Sequence, residues 1–256
     1  MDRQGLRQLF DMTGRVVVIT GGTRGIGLAL ATGYVSAGAK VVVASRKADA
    51  CEHAAGQLRR QGGDALGKAT HLGDLDALDE LVAFTVDSFG GIDVVVNNAA
   101  NSLTQSLGAF TPEAWSKSFD VNLRGPVFLV QKALPHLEVS SHAAVLNVIS
   151  VGAFIFSPSV AMYAAGKAAL MSFTRSMAAE YAVHGIRVNA LAPGSVDTDM
   201  VRANPPEFQQ SMAAASFQGR IASPDEMVGP ALLLSSDAGS FITGQVLIAD
   251  GGMTPH

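Results

Sequence analysis

Short β-branched runs alternate along the chain with longer stretches of helical spacing, and this alternation limits the fold more than any other feature of the sequence. The runs are Val16-Val17-Val18-Ile19, Val41-Val42-Val43, Val94-Val95-Val96, Ala144-Val145-Leu146-Asn147-Val148-Ile149, Ile186-Arg187-Val188-Asn189-Ala190-Leu191 and Val246-Leu247-Ile248. They have strand length, and most are apolar without interruption. Strands of that kind are covered on both faces, as in a parallel sheet between two layers of helices. The stretches between them are Gly25 to Ala37, Ala48 to Gln61, Leu75 to Phe89, Pro112 to Val139, Met162 to Val183 and Pro224 to Ser235. Their apolar residues fall three and four apart, and caps such as Thr111-Pro112-Glu113 and Ser223-Pro224-Asp225-Glu226 begin two of them. The expected fold is α/β, a doubly wound parallel sheet with helices on both faces.

With 256 residues the chain fits one domain spanning 1–256, since an α/β core can grow to about 250 residues before it splits. The hydrophobic set makes up 48% and charged residues 16%, which points to a well-buried globular protein. A net charge of −4 without a basic stripe argues against a nucleic-acid partner. Cys51 is the only cysteine and cannot close an intramolecular disulfide, which fits a reducing compartment. Met1 to Phe10 lacks the apolar centre of a signal peptide, and no 18-residue apolar run is present, so a cytoplasmic protein without a membrane span is expected. His136 and His184 lack a ligand-spaced partner, and no metal is expected. Asp197 to Gly219, with Pro205-Pro206 and weak patterning, reads as a mobile loop or lid over a substrate.

Directly after the first run comes Thr20-Gly21-Gly22-Thr23-Arg24-Gly25-Ile26-Gly27, which leads into a helical stretch. Glycines in such a strand-to-helix turn let the backbone approach a pyrophosphate, whose charge the helix N-terminus meets. A dinucleotide site is therefore expected at Gly21, Thr23, Arg24, Gly25, Ile26 and Gly27. An acidic residue at the end of the second strand would hold a ribose 2′-hydroxyl, but the chain has Ala44-Ser45-Arg46-Lys47 there. Ser45 and Arg46 favour the 2′-phosphate of NADP(H), with Arg24 as a second cation, and leave NAD(H) open.

Tyr163 and Lys167 are spaced four apart on a helical pattern and share one face. An ammonium beside a phenol is expected to lower its pKa towards neutrality and make it a proton donor and acceptor. Ser150 and the Asn97-Asn98-Ala99-Ala100 turn follow strand-like runs, at the carboxyl edge where open α/β sheets bind ligands. Asn122 falls in mid-helix, where an amide that could otherwise cap a helix needs a particular reason.

Together the glycine turn, Asn97-Asn98-Ala99, Asn122, Ser150, Tyr163, Lys167 and Pro193-Gly194 resemble the short-chain dehydrogenase/reductase family from Leu9 to Gly252, in its compact single-domain form. The resemblance implies a Rossmann arrangement of about seven strands and an oxidoreductase acting on a ketone, aldehyde or secondary alcohol. It implies a catalytic tetrad in which Ser150 binds the substrate oxygen and Tyr163 exchanges the proton. Lys167 would hold the nicotinamide ribose, and Asn122 would anchor a relay water. It also assigns Leu72 to the adenine, Asn98 and Ala99 to the ribose side, and Pro193, Gly194, Val196 and Thr198 to the nicotinamide. A homotetramer or homodimer is implied, matching the apolar residues on several faces of the two longest helical stretches.

The sequence departs from the family pattern at Ala100, Gly166 and His71-Leu72-Gly73, the last leaving the adenine pocket open to question. Phe154, Ile155, Phe156, Met162, Met200 and Phe208 are candidate apolar contacts for a small-molecule substrate. A 3-oxoacyl-carrier-protein or coenzyme A-linked reductase is the nearest rival. Ala179 stands where carrier-protein reductases of the family usually have Arg, which weighs against an acidic carrier. A non-catalytic dinucleotide-binding protein is the rival from another class, and the intact tetrad argues against it.

Overall fold

The computed structural model describes residues 1–155 and 158–254. Seven parallel strands form one sheet in the order β3-β2-β1-β4-β5-β6-β7. They are β1 (Val16–Thr20), β2 (Lys40–Ser45), β3 (Asp64–Ala69), β4 (Val94–Asn97), β5 (Ala144–Val148), β6 (Arg187–Pro193) and β7 (Val246–Ala249). The helices are α1 (Arg3–Gln8), α2 (Gly25–Ser36), α3 (Ala48–Arg60), α4 (Leu75–Phe89), α5 (Pro112–Phe119), α6 (Gly125–Leu137), α7 (Ala161–Tyr181), α8 (Asp199–Arg202), α9 (Pro206–Ala214) and α10 (Val228–Ser235).

Because successive strand residues face opposite sides, the valine runs feed two cores. Val17 and Ile19 of β1 and Val41 and Val43 of β2 pack with Leu30 and Tyr34 of α2, Leu58 of α3 and Leu234 of α10. Val18 and Val42 pack on the other face with Leu78 and Leu81 of α4, Leu129 and Ala133 of α6, and Met177 of α7. The uninterrupted apolarity of these strands is therefore the consequence of two covered faces. Strand order reverses between β1 and β4, and the crevice at their carboxyl ends is where such sheets bind ligands.

Three elements differ from the sequence expectation. β3, Asp-Ala-Leu-Gly-Lys-Ala, lacks an apolar run because it is an edge strand with only Ala65 fully buried. The expected helix from Pro112 to Val139 is two helices joined by a π-helical turn, Asp120–Arg124. Pro126 has no N–H to give the Asn122 carbonyl four residues earlier, so the α-helical ladder cannot run through this point. Within Asp197 to Gly219, expected to be a loop, the chain forms α8 and α9.

Candidate active site

A cleft of about 430 Å³ opens at the carboxyl edge of the sheet over β1, β2, β4 and β5. One side is the glycine turn. Gly25 has φ +53°, a conformation that favours glycine, and a Cβ on Gly27 would lie 2.1 Å from the Gly21 carbonyl oxygen. Glycine there lets α2 begin directly against the turn. Arg24, the N-cap of α2, offers no side-chain hydrogen bond to the first helical N–H groups. Gly25, Ile26 and Gly27 of this first turn line the cleft, and a helix N-terminus is a favourable place for an anion. The cradle fits a dinucleotide pyrophosphate.

Thr20 holds the neighbouring turn in place. Its hydroxyl accepts from the Asn98 and Ala99 N–H groups at 3.1 and 3.2 Å. Asn98 Nδ2 donates back to the carbonyl oxygens of Thr20 and Gly21 at 3.0 and 3.2 Å. The Asn98 amide therefore clamps the glycine turn while the residue lines the cleft. Ser45, Arg46, Thr70, His71 and Leu72 line the far end. Asp199 is the only carboxylate lining the cleft among the described residues, and it is paired with Arg24 at 2.9 Å.

At the other end Tyr163 and Lys167 line the cleft from α7. Lys167 is buried, and its Nζ donates to the Val148 carbonyl oxygen at the end of β5, 2.7 Å away. Loss of hydration pulls its pKa down to about 7. The ammonium stands 5.9 Å from the centre of the Tyr163 ring. Burial pushes the Tyr163 phenol above its ordinary range, and the neighbouring Ser150 hydroxyl draws it part-way back. The expected lowering of Tyr163 by Lys167 is not seen here: burial of the phenol itself acts in the opposite direction. Ser150 caps a short 3-10 turn by accepting from the Gly152 N–H at 3.1 Å.

Asn122 is fully buried and does not line the cleft. Its Nδ2 donates to the Asn101 and Ser118 carbonyl oxygens at 2.9 and 3.0 Å, and its Oδ1 accepts from the Asn101 N–H at 3.2 Å. The amide is spent on loop and helix backbone. The π turn and Pro126 explain what mid-helix placement could not: the Asn122 main-chain carbonyl is deprived of its regular donor.

Other expectations separate in the same way. Thr23, Ile26, Ala99, Thr198 and Met200 line the cleft, whereas Pro193, Gly194 and Val196 do not. Val196 is buried in a lone bridge to Ala222, and Pro193 ends β6. Met162 is a core residue at 2% exposure rather than a substrate contact. Phe154, Ile155 and Phe208 are exposed, and Phe156 lies outside the described residues. Asn101, Ser118 and Asp199 were missed because their roles arise only from contacts across elements. Among the described residues no cluster of His, Cys, Asp and Glu could hold a metal, and no helix is long and apolar enough to cross a membrane.

A family profile described as enoyl-(acyl carrier protein) reductase matches residues 21–254. The chain is 34% identical to human dehydrogenase/reductase SDR family member 4, over 98% of its own length and 92% of that protein. The chain belongs to the short-chain dehydrogenase/reductase family. It is also 34% identical to gluconate 5-dehydrogenase of Gluconobacter oxydans (strain 621H), over 96% of this chain and 97% of that one. A solved short-chain dehydrogenase/reductase from Mycobacterium marinum superposes with a TM-score of 0.92 at 31% identity, covering 97% of this chain and 99% of that structure. This short-chain dehydrogenase/reductase is therefore an oxidoreductase of the kind that acts on CH–OH groups, and membership implies a nicotinamide dinucleotide.

Proposed function

We propose that this chain is an NADP(H)-dependent oxidoreductase that interconverts a ketone or aldehyde with its alcohol, using Tyr163 as the acid/base. The observation that carries the reading is the polarity of one continuous cleft. Tyr163 and Lys167 line one end, and Ser45 and Arg46 line the other with no uncompensated carboxylate beside them.

The dinucleotide, when bound, supplies or accepts the hydride. In reduction Tyr163 donates its phenolic proton to the carbonyl oxygen. The Ser150 hydroxyl donates a hydrogen bond to the same oxygen and holds it against Tyr163. Lys167, anchored by the Val148 carbonyl beside the Tyr163 ring, would hold the nicotinamide ribose. The Asn122 carbonyl, without its helical donor, would accept from a relay water. Arg46 and Ser45 would hold the 2′-phosphate and Leu72 would flank the adenine, all three lining that end of the cleft.

The profile's carrier-protein description keeps a carrier-linked substrate as the second reading, although Ala179 leaves an exposed position of α7 uncharged. The gluconate 5-dehydrogenase relative favours a free small molecule. The test is NADPH consumption across a panel of free ketones, aldehydes and carrier-linked 3-oxoacyl groups, with Tyr163→Phe beside the wild type. Turnover lost in Tyr163→Phe supports the reading. Absence of turnover on every carbonyl, or turnover indifferent to that substitution, overturns it.

A further inference from the structure

Beside the cleft lies a second pocket lined by Leu103, Thr104, Gln105, Glu113, Ala114 and Lys117. Lys117 and Leu103 also line the main cleft, so the two spaces share a wall. The backbone around this wall is tied to the catalytic end. Asn101 Nδ2 donates to the Lys117 carbonyl oxygen at 2.8 Å, and the Asn101 backbone is held by Asn122. A Cβ on Gly166, the residue before Lys167, would meet Asn122 Cβ at 3.0 Å. The Gln105 N–H donates 2.7 Å to the carbonyl oxygen of Ser159, which has φ +63° and stands in the segment between Ser150 and Tyr163. A strained non-glycine residue held by its neighbours is a frequent mark of a ligand-facing segment.

The polar groups at this wall are not satisfied by one another. The Lys117 ammonium makes no ion pair or hydrogen bond among the described residues. Glu113, one helical turn earlier, lines only the side pocket. Gln105 lines the side pocket, but its Oε1 is buried without a partner and closed to a ligand. Elsewhere in the cleft the cations are committed or distant: Arg24 is paired with Asp199, Lys167 is bonded to Val148, and Arg46 stands at the β2 end.

We infer that the substrate is an oxo or hydroxy acid whose carboxylate is bound by Lys117 at the wall shared by the two spaces. Lys117 is then the residue that selects anionic over neutral substrates. The inference rests on the carbonyl-reductase reading for the identity of the reacting group, but not for binding.

The experiment loads the protein with NADP+ and titrates it by calorimetry with linear oxo acids of increasing length, such as 5-oxohexanoate, each paired with its methyl ester. At the best length the acid should bind about 10-fold or more tighter than its ester, the range of a charge-assisted contact. Lys117→Gln should bring that ratio near one, and Lys117→Glu should invert it, with unchanged circular dichroism in both. A wild-type ratio near one at every length, or an equal loss for acid and ester in Lys117→Gln, overturns the inference. NADPH consumption with the same compounds is the separate arm. Lys117-dependent binding without turnover of any carbonyl would leave the anion site and sink the reductase reading, and the converse would do the reverse.

Discussion

Arg24 Nη1 and Asp199 Oδ2 lie 2.9 Å apart, joining the start of α2 to the start of α8 across the mouth of the cleft. The pair neutralises a cation on the cofactor side with a carboxylate from the segment that borders the substrate side. Both side chains are exposed, so the pair itself contributes at most about 1 kcal/mol. If Arg24 turns to a dinucleotide phosphate, it must leave Asp199. Asp199→Asn should therefore tighten NADPH binding by up to about 5-fold at low salt, measured by nicotinamide fluorescence. Unchanged or weaker binding would show that Arg24 does not change partners.

Arg46 presents the complementary case. It lines the β2 end of the cleft and has no carboxylate partner among the described residues. A charge-assisted contact to the 2′-phosphate is worth about 1.5–3 kcal/mol, so Arg46→Ala should weaken NADPH by roughly 10- to 100-fold. NADH, which lacks that phosphate, should change little. A wild type that binds NADH as tightly as NADPH would sink the 2′-phosphate assignment and leave the Tyr163 arrangement untouched.

Lys167 ties stability to pH. In the folded chain burial brings its pKa down from 10.5 to about 7, whereas the unfolded chain holds the proton up to the ordinary value. Between these limits the unfolded state binds more protons, so this residue's contribution favours folding increasingly as pH rises, and its penalty is fully present below the folded value. The hydrogen bond to Val148 needs one N–H, which the neutral amine keeps. The difference in melting temperature between wild type and Lys167→Met, both without cofactor, should rise from pH 7 to pH 9.5. A flat or falling difference would mean that Lys167 keeps its charge in the fold.

The valine runs and glycine turn made the sheet legible because a doubly covered strand and a strand-to-helix turn each leave a local signature. β3 left none, since its pairing with β2 depends on backbone groups and on Gly67 packing against Cys51. Tyr163 and Lys167 could be paired from helical spacing alone. The direction of the Tyr163 pKa could not, because burial is a property of the assembled cleft. Asn122 shows the same division: its place in mid-helix was visible, but the π turn, Asn101 and Ser118 that define its environment come from contacts across elements.

Gly27 tests whether the dinucleotide cradle depends on backbone contact. A Cβ there would meet the Gly21 carbonyl oxygen at 2.1 Å and Asn98 Nδ2 at 2.5 Å. Neither is the free end of a flexible side chain, because Asn98 is itself bonded to Thr20 and Gly21. Alanine would gain about 1 kcal/mol from helix propensity, against a typical overpacking cost of about 1–3 kcal/mol. With backbone as the obstacle the upper part of that range applies, and α2 must shift away from the turn. Gly27→Ala should lower stability by about 1–2 kcal/mol net in urea unfolding and weaken NADPH and NADH alike, since both carry the pyrophosphate. Loss of NADPH alone would move Gly27 from the pyrophosphate cradle to the 2′-phosphate end, contrary to its place beside Gly21.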